Sequence, residues 1–513
     1  MSGLISAQAL TLAATRIFRT ATRSLGMVGV LTLFSHLCFS QSYPGYHSSS
    51  YTGVYGILTN PADILNHRFR ADINLVGFFT QVGNNQVTFK YHVSDGENNA
   101  SRPDPIKRPG RLNFNTDIFG PSIMLRLSDK HAFAITTRAR LMANVNGIGA
   151  NLLNLTIQDS VDQSLIKANL AVSDISARVH GWTELALTYS RQIAVTDYGV
   201  WKAGISLKYL GGLGAFFLNT NKLSFTYDDS LYNPTTNQTN EAVTNVQGSI
   251  SLGYTKNIDS LNRSARDYLS FKNPGVGIDI GVNYEYRDEM QVYETSYSEK
   301  TLNYIWRIGA SITDIGFIRY NKQPTGGFTT RFSGNTFFTN DLNPPSDSSS
   351  VEQMSNYYKR LFNARSQSSA ITMQLPTALH LTYDRFFNRW AGIQAQLNVP
   401  IMFSALTQYS GTYNPMSISV TPRAETVGFG VYLPLSYNTI SGFQAGLSLR
   451  LGPLIIGSGS ILNLKFLNRT KGGDAYFILR VPIFGYREYK EKVRRERTHL
   501  SKRERRLLGC PTK

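Results

Sequence analysis

Cysteine is nearly absent: the 513 residues include two, Cys38 and Cys510. That leaves no disulfide framework and no paired-cysteine metal site. Charge is scarce as well, at 17% Asp, Glu, Lys and Arg against roughly 25% in soluble chains. No run reaches 18 consecutive apolar residues, which excludes a helical membrane span. The eight histidines are scattered, with no HExxH, and neither GxSxG nor a Walker A loop occurs. Zinc-finger, RRM and helix-turn-helix patterns are missing too, so nucleic acid is not an expected partner. These absences describe a chain that is not an enzyme and carries no metal and no cofactor. His380, on a candidate strand, reads as a hydrogen-bonding residue rather than a catalytic base.

What is present points to β structure. Tyr and Phe each number 28, aromatics reach 12%, and there are 42 glycines. So many large apolar side chains can bury enough surface to rule out disorder. At the start of the chain, Arg16, Arg19 and Arg23 precede an apolar run from Leu25 to Phe39, then Ser40 and Gln41. Basic region, apolar region and small residue together read as an export signal over residues 1–40. At the other end, residues 487–513 hold 11 Lys and Arg against four Glu, much of the net +18. Glu488–Lys492 and Glu491–Arg495 have helical i, i+4 spacing in the favourable order. This tail reads as a solubilising extension, or as a basic arm (Arg487 to Arg506) for anionic headgroups, cell-wall polymer or a periplasmic acidic partner.

Period-2 alternation recurs between these ends. Ile123, Leu125 and Leu127 alternate with Ser122, Met124 and Arg126. Phe133, Ile135, Ala139 and Leu141 oppose Ala134, Thr136, Arg138 and Arg140, and Ala203, Ile205, Leu207 and Tyr209 oppose Lys202, Gly204, Ser206 and Lys208. Strict alternation over eight to twelve residues marks strands. The apolar faces are continuous, while the polar faces are padded with Ser, Thr, Gly and Ala instead of charge. A soluble β protein with an aromatic core is the alternative. Sparse charge and the export signal favour a transmembrane β-barrel over residues 71–486, its apolar face turned to lipid. Trp182, Trp201, Trp390, Phe386 and Phe387 sit at strand starts and turns, as an interfacial girdle would.

Sixteen strand candidates arise: 71–82, 86–95, 120–128, 132–146, 180–193, 200–213, 220–228, 245–256, 275–288, 302–313, 373–384, 389–402, 416–422, 425–436, 442–452 and 474–483. About 14 are expected, within a range of 12–16. If the first strand starts in the periplasm, several short turns fall outside and longer loops inside, the reverse of the usual arrangement; either an early strand is missing from this set or the barrel breaks the rule, and no loop orientation is assigned. Residues 321–371 read as a flexible loop. Residues 41–70 are too irregular for a strand. There Asn60, Pro61 and Ala62, followed by Asp63, form a helix start, in either a hatch tucked into the barrel mouth or a periplasmic lead-in.

The export signal, then Asn60-Pro61-Ala62 ahead of Asp72-Ile73-Asn74-Leu75, resembles the long-chain fatty-acid transporter superfamily of outer-membrane barrels. A Bacteroidetes-type outer-membrane family of unknown function is a nearer likeness. Thr137 to Arg140, Gly309 to Phe317, Leu375-Pro376-Thr377 and Arg450 to Pro453 extend the likeness over roughly residues 43–486. It implies a barrel of about 14 strands with an N-terminal hatch, in the bacterial outer membrane, and no established activity. The basic tail departs from the family pattern, which puts simple recognition of the last strand by the barrel assembly machinery in doubt.

On the polar parity, Arg126, Arg138, Arg140, Lys202 and Lys208 line the lumen, with Asp72 and Glu184 as inward partners. They could bind anionic cargo or simply pair with lumen carboxylates, holding wall and hatch together. The functional expectation is a transport barrel for small hydrophobic or anionic solutes. A non-conducting scaffold for periplasmic or secretion-linked partners is the alternative.

Overall fold

A computed structural model describes residues 43–484 apart from 67–68, 87, 91–108, 129, 150–164, 173, 235, 256–272, 288–303, 321–324, 346–349, 368–369, 402–410, 464–465 and 467–468. The expected export signal and basic tail, and with them both cysteines, lie outside the described residues.

Fourteen antiparallel strands form the wall. β1 is Phe69–Asn84, and β2 is Gly110–Phe119 continued by Ser122–Arg126. β3 is His131–Ile148, β4 Ser176–Thr196, β5 Gly199–Asn233, β6 Pro274–Tyr286 and β7 Trp306–Tyr320. β8 is Ile371–Gln374 continued by Ala378–Phe386, β9 is Ala391–Pro400, and β10 is Ser417–Glu425. β11 is Phe429–Tyr432 with Leu435–Asn438, β12 is Gly442–Ala445 with Leu447–Leu451, β13 is Leu454–Ser458, and β14 is Gly472–Phe484. β1 pairs with β2 on one side and with β14 on the other, so the sheet closes and has no edge. Three of the four split strands break at Gly120-Pro121, Pro376 and Pro434, where proline has no N–H for the ladder, and β12 breaks at Gly446, whose N–H donates to the Pro434 carbonyl.

Burial follows the expected two faces. Val276 and Leu207 are 64% and 57% exposed on the outside, whereas neighbouring Asp279 and Ser206 are buried inside. The same alternation runs through Ile135, Leu187, Ile308, Ile418, Ile456 and Leu479, all exposed. In a closed sheet with a polar interior, such a belt is surface for lipid, so this is an outer-membrane type of β-barrel. Trp201, Tyr284, Tyr286 and Trp306 cluster at one rim of the belt, with Trp390 and Phe387 exposed at the same end. Trp182 does not join them. It shares the inward parity of His180, Glu184 and Ala186, and its ring is fully buried in the lumen, with Nε1 donating to Glu184 Oε1 at 2.7 Å. Phe386 also points inward, beneath the Arg423 guanidinium.

Thirteen of the sixteen candidate strands are wall strands. Candidate 86–95 is not: its described piece, Phe89–Lys90, pairs with Arg469–Thr470 in a separate two-stranded sheet. Candidates 220–228 and 245–256 belong to a sheet that outgrows the wall. There the second half of β5 pairs with Gln238–Thr255, and that strand with Thr325–Phe338. Five-residue β13 escaped the alternation test by its shortness. Removing 86–95 reverses the direction of every later strand, which resolves the loop anomaly. The start of β1, the end of β14 and the tight turns at 127–130, 197–198, 387–390, 426–428 and 452–453 share one end, and apart from 287–305 the long connections share the other. Nor is 321–371 a plain loop. It holds Thr325–Phe338 and helix α1, Val351–Leu361, started by a capping box between Ser350 and Gln353. Val351, Met354 and Tyr358 of α1 pack on Phe216, Leu252 and Phe328.

Candidate functional site

Residues 43–66 do not lead away from the barrel. They lie inside it at the end where β1 starts and β14 finishes, as three short 3-10 turns, Tyr46–Ser48, Gly53–Leu58 and Pro61–Leu65. Asn60 caps the last turn as its sequence implied, its Oδ1 accepting from Ala62 N–H at 2.9 Å, but the turn is 3-10 and lasts five residues. One flank is apolar: Tyr43, Tyr55 and Val54 pack on Phe79, Phe119 and Ile478 of the wall. The other flank is polar. Asn60 Nδ2 donates to Asn283 Oδ1 (3.0 Å) and to Val282 O (3.2 Å) of β6. Asp63 meets Arg307 of β7 at 3.2 Å, and Asn66 accepts from Lys202 Nζ of β5 at 2.6 Å. Around the remaining circumference, Ser49 and Ser50 donate to Glu425 of β10, Val54 N–H donates to Asp72 of β1, and Pro44 O accepts from Ser448 of β12 and Tyr476 of β14.

Three inward glycines make the seat for Asn60-Pro61-Ala62. A Cβ at Gly204 would stand 2.4 Å from the Pro61 carbonyl carbon and the Ala62 nitrogen, and one at Gly281 2.1 Å from Asn60 Oδ1. One at Gly309 would come within 3.2 Å of Asn60 Nδ2. Gly204 and Gly281 are cross-strand partners, as are Gly309 and Asn283. The motif therefore rests on a patch of wall without side chains. Gly204 stood in the sequence as one more small residue on a polar face; its role depends on a neighbour over 140 positions away.

All five expected lumen cations point inward. Arg138 Nε donates to Asp117 at 2.8 Å, and Arg140 contacts Glu184 (3.2 Å) and Asp314 (2.7 Å). Lys208 bridges Asp279 (2.8 Å) and Asp314 (2.5 Å), and Lys202 pairs with Glu285 at 2.7 Å. Arg126 is buried on β2. Asp72, expected as a lumen carboxylate, pairs with Arg480 at 3.0 Å. Asp314 was not anticipated. It sits at φ 59 in a β-bulge, where β6 and β7 slip register between Ile278 and Ile280. The bulge turns Thr313 and Asp314 both into the lumen. A charge next to Thr313 in an otherwise alternating strand was its one sequence signal.

At the far end, residues 411–416, between β9 and β10, cross the lumen. Tyr413 N–H donates to Asn144 Oδ1 (2.9 Å) on β3, and its carbonyl accepts from Asn144 (3.0 Å) and Asn113 (3.3 Å). Its hydroxyl reaches Asn146 Oδ1 at 2.6 Å. Between this strap and the N-terminal segment lies a chamber of about 70 Å³. Its floor is His47, Leu58 and Thr59; Asn414 and Pro415 cover it; Arg138, Arg140, Asp314, His380, Gln396 and Asn398 form its sides. His380 hydrogen-bonds through both ring nitrogens, to Asn398 (2.6 Å) and Thr313 (2.9 Å), as a lumen histidine does. Among the described residues no His, Cys, Asp and Glu group fits a metal ion.

Burial sets two titrations on the inserted segment. It lowers His47 from the ordinary 6.5 to about 4, against the pull of the Tyr43 carbonyl that its Nδ1 contacts. It holds Asp63 above the usual carboxylate range, although Arg307 and the Asn66 and Asn283 amides favour the ionised form.

Fold and lumen define the class: an outer-membrane β-barrel with a filled interior. By its sequence the chain belongs to a family of unknown function, DUF5723, whose model matches residues 61–459. No curated protein matches. Among solved structures it is similar to the toluene transporter TbuX of Ralstonia pickettii, at 11% identity over 88% of this chain and 100% of that one, with a TM-score of 0.39. A Pseudomonas aeruginosa FadL homologue matches at 11% identity over 86% and 98%, with a TM-score of 0.38. The Pseudomonas putida toluene transporter TodX matches at 9% over 87% and 100%, with a TM-score of 0.39.

Proposed function

We propose that this chain is a gated transport barrel for small polar solutes, with residues 43–66 as its hatch and the 411–416 strap as its outer closure. The chamber between them carries this reading. Arg138, Arg140, Asp314, His380, Gln396 and Asn398 converge on it beside Leu58, Ala378, Pro400 and Pro415, a space for which a scaffold has no use. The long connections and the outgrown sheet face the exterior in this reading, and the termini and tight turns face the periplasm. The basic tail then lies within reach of cell-wall polymer. Toluene, named for two of the structural neighbours, is not taken over as cargo, because Arg138, Arg140, Asp314 and the Gln396 and Asn398 amides stand in this chamber among Leu58, Ala378, Pro400 and Pro415.

Scaffolding is favoured by a different feature, the sheet beyond the wall with apolar clusters of its own around Phe225, Val246 and Phe332 and around Phe216 and Met354. Liposome swelling separates the two readings. Wild-type barrels should admit solutes of glycine or urea size and exclude disaccharides. Vesicles that stay tight to every solute would leave only the scaffold.

A further inference from the structure

We infer that the turn joining β10 to β11 is a trigger for the hatch: displacing residues 426–429 loosens residues 46–52 through Arg450 and leaves the strap in place. The inference rests on the transport reading for its use, since only a hatch that opens needs a trigger. Its mechanism rests on the surroundings of one arginine.

Arg450 of β12 is 1% exposed, and among the described residues no carboxylate pairs with it. Its charge is met by main-chain carbonyls instead. Nη1 donates to Val427 O at 2.8 Å, and Nη2 donates to Phe429 O at 3.2 Å and to Thr426 O. All three carbonyls belong to the turn. A buried cation that loses its acceptors is strongly destabilised, so the guanidinium must follow them.

The same group reaches the hatch by two routes. Its flat face lies over the Tyr51 ring, 4.4 Å from the centroid. Its Nε donates to the Tyr432 hydroxyl at 3.3 Å, and that hydroxyl stands 2.8 Å from Ser49 Oγ and 3.1 Å from Glu425 Oε2. Glu425, the residue before the turn, accepts from the Ser49 and Ser50 hydroxyls, both at 2.6 Å. Tyr51 is anchored in turn, its carbonyl accepting from Arg480 Nη2 at 2.5 Å and from the Tyr46 hydroxyl at 2.9 Å.

A guanidinium is planar, with its donors in a fixed fork. Here the fork is taken by the turn and the face by Tyr51. A displaced turn therefore keeps its carbonyls on the fork only by tilting the plane off Tyr51. The turn is also open to contact: Thr426, Val427, Gly428 and Phe429 are exposed, and a Cβ at Gly428 would meet nothing within 4 Å. The strap shares none of these contacts, because its hydrogen bonds go to β2 and β3.

The test perturbs one end of this chain of contacts and reads the other, by amide hydrogen exchange and mass spectrometry on the purified full-length barrel. Two glycines inserted after Val427 should speed exchange of residues 46–52 by about tenfold and leave residues 411–416 unchanged. Y51L should speed exchange of residues 426–430 by about threefold, because coupling between two sites is reciprocal. In an R450M background each perturbation should change the far end by less than about twofold, the non-additivity that a shared link produces. If the insertion loses the heat-dependent gel shift of a folded barrel, Y51L with and without R450M carries the test. A far end that stays unchanged in a folded variant, or cross-talk that persists undiminished in R450M, overturns the inference. Cross-talk in a protein whose liposomes stay tight would uphold the link and overturn the transport reading, and swelling without cross-talk would do the reverse.

Discussion

At the end where β1 starts and β14 finishes, residues 43–66 lie in the lumen and are tied to β1, β5, β6, β7, β10, β12 and β14 by buried ion pairs, hydrogen bonds and an aromatic flank. At the far end, residues 411–416 span the same width on amide hydrogen bonds to Asn113, Asn144 and Asn146, all on β2 and β3. One closure is seated in a wall shaped to receive it, down to glycines that leave room for its backbone. The other lies against ordinary side chains. Buried ion pairs that lose one member are expensive, roughly 3–5 kcal/mol, whereas a neutral hydrogen bond contributes about 1 kcal/mol. The strap should therefore open more readily than the hatch, and a solute entering from that side would meet the chamber before anything at the terminal end moves.

The glycine seat offers the largest way to break this comparison. In G204V the new side chain meets Pro61 and Ala62 backbone, which has no rotamer to relieve the contact. The hatch should leave its seat, raising single-channel conductance at least tenfold and exposing residues 43–66 to protease, while unboiled protein still migrates as a folded barrel. G281A brings a single methyl against the Asn60 amide and the Pro61 ring rather than main chain, and should displace the segment less. Conductance unchanged in G204V would mean that the segment does not occlude the lumen.

Much of this architecture could be read from the chain and some could not, for physical reasons. Alternation on β3 and β5 reported which side chains face lipid, because a closed barrel imposes period 2 on each strand separately. It placed Arg138, Arg140, Lys202 and Lys208 inward without error. It failed at Asp314, where a one-residue slip in register turns the parity over and local sequence does not announce a bulge; Trp182 keeps the inward parity of Glu184, and what misled there was its place near a strand start, which suggested a girdle. Candidate 86–95 alternates as well as any wall strand, yet its described residues pair outside the barrel, so periodicity identifies a strand but not its partner. The chamber was out of reach altogether. It depends on Gln396, His47 and Asn414 converging from distant segments.

A smaller break comes from R307M. Removing the guanidinium leaves Asp63 and Asp384 without it in the lumen, where it stands 3.2 and 3.6 Å from them. Hatch docking should weaken by about 3 kcal/mol, seen as accelerated protease cleavage near residue 60. D63N in the same background should restore part of the loss, because it removes the stranded charge while keeping the Asn66 and Asn283 contacts possible.

Acid gives a graded version of the same release. His47 has a depressed value when docked, so the released segment binds the proton more tightly than the docked one does. Its contribution to docking is fully present above about pH 6.5 and is lost progressively as pH falls towards about 4. Asp63, raised by burial, works the other way: its contribution is present below the ordinary carboxylate range and is lost as pH rises through the docked value. Conductance should therefore rise between pH 6.5 and 4 in D63N, and adding H47Q should flatten that rise.

The finest test is on the strap. Asn144 serves both the N–H and the C=O of Tyr413, so N144A removes two hydrogen bonds at once. The expected loss is about 1–2 kcal/mol of strap docking, well below that for R307M, with no change in hatch protection. Spin labels at residues 414 and 146 should report a longer and broader distance distribution in N144A, while protease cleavage near residue 60 stays at the wild-type rate. If instead N144A loosens residues 43–66 as much as R307M does, the two closures are one cooperative unit. The solute could then not enter the chamber from the far end while the terminal end stays sealed.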